Sequence, residues 1–128
     1  MSYHFSKIVN LSFETAIERI TEELKKEGFG ILTQINIRET LKNKLNVDFR
    51  PYIILGACNP QFAYKALSAE DKIGTMLPCN VVVQQHDDGS IEITAVDPIA
   101  SMIAIKNDNL GTVAHGVADK LKRVIESV

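Results

Sequence analysis

Residues 80–96 read NVVVQQHDDGSIEITAV: two runs rich in β-branched residues, Asn80 to His86 and Ile91 to Val96, around Asp87-Asp88-Gly89-Ser90. Valine, isoleucine and threonine suit a pleated, half-buried surface. Asp-Gly tolerates the positive φ of a type I′ turn, so the stretch reads as a β-hairpin. Upstream, Tyr52 to Ala57 is a continuous apolar run of strand length, the pattern of a strand buried on both faces. Tyr3 to Val9 and Phe29 to Ile35 complete a set of about five strands.

Helices fall between them. Ser12 caps a helix with Phe13, Ala16, Ile17, Ile20 and Leu24 on one stripe; Gly28 stops it in a left-handed conformation. Asn36 and Glu39 open a short helix through Leu45, in the manner of a capping box. Asn59-Pro60 sets a cap followed by proline in the first helical position, for a helix to about Leu67; Glu70 to Gly74 reads as irregular. Leu110, Val113, Ala114, Val117, Leu121, Val124 and Val128 share one face of a C-terminal amphipathic helix, about 110–128. No linker or repeat divides the chain. The pattern predicts a single α+β domain over 1–128, with a mixed sheet and helices packed mainly on one face.

The chain has 128 residues, 45% of them apolar, 23% charged and 6% aromatic, a composition that supports a core without disulfides or metals. Fourteen basic residues face 16 acidic ones, for a net charge of −2, which argues against binding to nucleic acid or an anionic membrane. Lys120, Lys122 and Arg123 cluster near the C-terminus, but no aromatic residues interleave with them as a nucleic-acid platform requires. The N-terminus lacks the basic and long apolar regions of a signal peptide, and no apolar run approaches membrane-helix length. Two cysteines are too few for a secreted scaffold. The expectation is a cytoplasmic protein with reduced thiols.

Three passages stand together: Glu27-Gly28-Phe29-Gly30, Gly56-Ala57-Cys58-Asn59-Pro60 and Leu77-Pro78-Cys79-Asn80-Val81. Followed by the hairpin and Ala95-Val96-Asp97-Pro98, this order resembles the bacterial and archaeal family called domain of unknown function 302, from about Phe13 to Pro98. The resemblance implies a compact α+β domain, dimeric in character, and brings no established activity.

The chemistry therefore rests on the residues. Cys58 ends a buried strand just before a helix cap, where the partial positive charge of a helix start lowers a thiol pKa. Cys79 precedes the hairpin's first strand in a segment without formal charge. Three readings stand open: two small buried hydrophobes in a core, a thiol pair for redox or metal handling, and the lining of a ligand pocket. Asn59 and Asn80 follow the two cysteines as helix cap or turn residue, or as amides aimed at a ligand.

Other catalytic templates fail. There is no nucleophile elbow, phosphate loop or dinucleotide fingerprint, and no Cys-x-x-Cys or His-x-x-x-His pair for zinc. The three histidines are scattered, and no cofactor is expected. The leading expectation is a small ligand-binding or interaction module, a homodimer, with candidate binding residues Cys58, Asn59, Pro60, Cys79 and Asn80. The alternative is a thiol-dependent redox or metal-handling protein using Cys58 and Cys79.

Overall fold

A computed structural model describes residues 2–128. Its elements run β1 (His4–Val9), α1 (Phe13–Lys26), β2 (Gly30–Asn36), α2 (Ile37–Leu45), β3 (Tyr52–Cys58), α3 (Pro60–Ala69), a 3₁₀ turn (Ile73–Met76), β4 (Cys79–Gln85), β5 (Ile91–Val96), α4 (Pro98–Ser101) and α5 (Asp108–Ser127). The five strands form one sheet in the order β1-β5-β4-β3-β2. The α+β class and the strand count agree with the sequence reading. The mixed sheet does not: every pairing is antiparallel.

The reason lies in the helices between strands. A parallel neighbour needs a crossover helix packed on the sheet. α2 buries none of its residues, so it serves as a loop at a strand end, and β3 returns antiparallel beside β2. α1 does cross the sheet, burying Ala16, Ile20 and Leu24, but it joins the two opposite edges. The edge strands β1 and β2 therefore run in the same direction without touching.

The local signals act as expected at the helix starts. Ser12 Oγ accepts from the Thr15 amide at 3.1 Å, and Asn36 Oδ1 accepts from the Glu39 amide at 3.0 Å. Gly28 takes φ +88° after α1, while the Phe29 amide reaches back to the Leu24 carbonyl at 2.9 Å. The hairpin turn differs from the expected type I′, which needs positive φ at both central residues. Only Gly89 has it, at φ +88°, because Asp88 accepts from both the amide and the hydroxyl of Ser90, at 2.9 and 2.7 Å.

Side chains alternate across the sheet. Ile53, Leu55, Val81, Val83 and Ile93 are buried on one face, under α1 and α5. Leu121 and Ile20 from those helices are fully buried, each of them stabilising the fold by roughly 1.5–3 kcal/mol. At the rim, Glu27 at the end of α1 accepts from Arg123 at 3.1 Å and Lys120 at 3.5 Å, which ties α1 to α5. Among the described residues no helix is long and apolar enough to cross a membrane.

Candidate functional site

The cysteine motifs meet where β3 ends, β4 begins and α3 starts. Cys58, half-buried, is the last residue of β3, and Asn59 caps α3. The Asn59 amide is used at both ends: its oxygen accepts from the Phe62 amide at 3.4 Å, and its nitrogen donates to the Glu27 carbonyl at 3.2 Å. That second bond fastens the start of α3 to the end of α1. It also requires glycine at 28, where a Cβ would lie 3.0 Å from the Asn59 nitrogen. Across the strand pair, Gly56 leaves room for the Pro78 ring, whose Cγ would lie 2.8 Å from a Cβ there. Cys79 then pairs with Ala57 in register, on the helix-covered face.

Between these segments and the helices is a recess of about 30 Å³. Its floor includes Cys58, Ala57 and Cys79, and its walls come from Phe62 of α3, Met102 after α4, and Val117 of α5. No residue lining it carries a formal charge. A second recess, of about 180 Å³, lies beside it, lined by Ile99, Ile105 and Leu110. Met102 and Ala114 belong to the walls of both, so these two side chains form the partition. Methionine has three rotatable bonds and adapts readily to a changed cavity.

The low polarity shows in the thiol chemistry. Burial pushes the Cys79 thiol up to about 11, and the neighbouring Cys58 thiol adds to the effect, since a second thiolate beside it would be repelled. Cys79 is therefore a neutral thiol at physiological pH. Both cysteines are free.

The five residues singled out from the sequence do not all converge. Cys58, Asn59 and Cys79 line the recess. Pro60 is exposed at the first position of α3, and Asn80 is exposed on the sheet face away from the helices. Two histidines stand apart: the His86 ring lies 2.9 Å from Glu92 beside the hairpin, and the His4 ring contacts Ser6; His115, exposed, lines the second recess with Asn107. Among the described residues no group of three His, Cys, Asp or Glu is placed to hold a metal ion.

The walls supplied by α4 and α5 were not visible in the motifs. Val113, Ala114 and Val117 read in the sequence as part of a core stripe, which is what a pocket-lining helix face looks like without its partners. The one local signal was Gly116, in the middle of α5. A Cβ there would lie 2.8 Å from the Phe62 ring, so the glycine marks close contact between α5 and α3.

The family described as "Domain of unknown function DUF302" matches residues 5–128, nearly the whole chain. The chain belongs to the DUF302 family. The match extends beyond the cysteine motifs to take in β1 and α5, the elements that close the sheet edge and the recess. A crystal structure of an uncharacterized conserved DUF302 protein from Bacillus stearothermophilus superposes with a TM-score of 0.92 at 32% sequence identity. The alignment covers 99% of this DUF302 chain and 98% of the other. No curated protein matches the chain.

Proposed function

We propose that the protein is a binding module for a small, uncharged, largely apolar molecule, held in the paired recesses between α3, α4, α5 and the ends of β3 and β4. The observation that carries this reading is the absence of any formal charge in the wall of the inner recess, combined with the wall it shares with its neighbour at Met102. Apolar cavities stay dry, and one of roughly 150 Å³ admits a benzene-sized guest. The inner recess alone is too small for that. The neighbouring recess, at about 180 Å³, is large enough by itself, and a rotation of Met102 would join the two. A charged ligand in the inner recess would lose its hydration with no opposite charge in the wall to replace it. The same reading places the module in the cytoplasm, where Cys58 and Cys79 stay reduced.

A thiol-dependent reading draws support from the two sulfurs lining one recess. It is the weaker reading, because the neutral state of Cys79 works against attack or metal capture by that sulfur.

The test compares benzene and indole with benzoate, by thermal shift and by perturbation of methionine methyl signals. The neutral guests should raise Tm and move the Met102 methyl resonance, while benzoate does neither. Ala114→Phe should abolish the response and Met102→Ala should strengthen it. Two variants with opposite expected effects keep the test decisive should either one fold poorly. Equal responses to neutral and charged probes, or no movement of Met102, would overturn the proposal.

A further inference from the structure

α5 carries two glycines, and only one of them is explained by packing. Gly116 makes room for the Phe62 ring. Gly111 does not answer to any neighbour: a Cβ there would meet nothing within 4 Å. Its φ lies outside the left-handed region, so the backbone does not require glycine either. A glycine within a helix is destabilising relative to alanine. What Gly111 does is line the second recess, of about 180 Å³, on the same side of the helix as Ala114 and His115, three and four residues on. Its missing side chain keeps that space open.

The wall of this recess is otherwise apolar, with Met102, Ile105 and Leu110 among its side chains. Asn107 and His115 alone bring side-chain nitrogen or oxygen to it. The Asn107 amide is committed at both ends: its nitrogen donates to the Ala69 carbonyl at 2.7 Å, and its oxygen accepts from the Asn109 amide at 3.1 Å. The exposed His115 ring makes no hydrogen bond among the described residues. One free polar group therefore stands at the rim of an apolar hollow. A neutral imidazole has one N–H and one bare nitrogen, so it can accept from a hydroxyl or donate to it.

We infer that the second recess binds a small phenol, with the ring laid over Gly111 between Met102 and Leu110 and the hydroxyl hydrogen-bonded to the His115 ring. The inference rests on the binding function proposed above and adds the chemical class of the ligand. The aromatic part follows from Met102, whose thioether makes favourable contacts with ring edges that an aliphatic alcohol would not supply. The hydroxyl follows from His115. An aliphatic amine or a carboxylate would carry its charge into a wall without acid, lysine or arginine, whereas a phenol, with a pKa of about 10, stays neutral at pH 7. His115 thus sets specificity, and Gly111 sets access.

Calorimetric titration with phenol and toluene is the test, since the two guests are nearly equal in size and differ by a hydroxyl in place of a methyl. The wild-type chain should bind both. His115→Leu should lower phenol affinity by about 3–10-fold, the loss of one neutral hydrogen bond, and leave toluene affinity unchanged. His115→Gln, which keeps a hydrogen-bonding tip, should restore phenol affinity. Gly111→Leu should abolish binding of both guests, while Gly111→Ala should raise the Tm of the free protein by about 3–5 °C, because its methyl meets no neighbour. Phenol affinity untouched by His115→Leu, or a loss shared equally by toluene, would overturn the hydrogen bond and leave the apolar-binding reading standing. Guests that still bind Gly111→Leu, or a fall in Tm in Gly111→Ala, would overturn the role of the glycine. Failure of the wild-type chain to bind either guest would remove the proposed function and this inference with it.

Discussion

Gly116→Ala offers a direct test of how α5 packs on α3. In an isolated helix interior the change favours folding by about 1 kcal/mol, because alanine loses less backbone entropy. In this protein the new Cβ would lie 2.8 Å from Cε1 and 3.1 Å from Cζ of Phe62. Something must move, and the ring is constrained: it packs against the main core, and the Lys65 amine lies 5.7 Å from its centroid. Overpacking of this kind costs about 1–3 kcal/mol. The balance is a net loss of about 1 kcal/mol, or a fall in Tm of roughly 3–5 °C for a domain of this size. Phe62→Leu removes the two ring atoms in question. In that background the same Gly116→Ala change should stabilise by up to about 1 kcal/mol, so the double-mutant cycle gives a coupling of about 2 kcal/mol. Urea unfolding of the four proteins, with equal m values, reads the cycle. A stabilising Gly116→Ala in the wild-type background, or the same effect in both backgrounds, would refute the contact.

Three further outcomes are expected. Asn59→Ala should cost about 1–2 kcal/mol in urea titrations, the loss of a cap and of the tie to Glu27, with Asn59→Asp falling between because it keeps only the acceptor. Arg123, by hydrogen bonding and charge, holds the Glu27 carboxyl below its ordinary range. Its stabilisation is therefore present above the unfolded carboxyl pKa of about 4.3 and disappears as pH falls through the lower folded value. Glu27→Gln should remove that slope in an acid titration of stability, and high salt should shrink it. In mass-resolved alkylation at pH 8, Cys58 should be modified well before Cys79, which is buried with its thiol pushed up to about 11. Equal rates would mean that the strand end opens in solution.

Local chemistry was legible where it depends on neighbours in sequence. Ser12, Asn36 and Asn59 each cap the helix that follows them, as their residue types and positions indicate. Gly28 takes the left-handed conformation expected of a glycine after a helix. The pocket was legible only in part. Cys58 and Cys79 were recognisable by their motifs, but the same pattern placed Asn80 beside them. Strand alternation instead turns Asn80 to the opposite face, because it follows Cys79 by a single residue. Met102 had no local mark, since its role comes from standing between two recesses built by distant segments.

Periodicity, capping and turn chemistry act over a few residues, so the α+β class, the strands and main helices, and the family were readable in the order of amino acids. The antiparallel sense of every strand pair emerged from the fold. Parallel pairing would have needed an apolar crossover face, and α2 buries no residue at all. The fold also brought the two thiols to one uncharged recess and left Val82, Ile54 and Ile35 together on an open face. Both arrangements depend on strand register and on helices far apart in the chain, which no short window of residues contains.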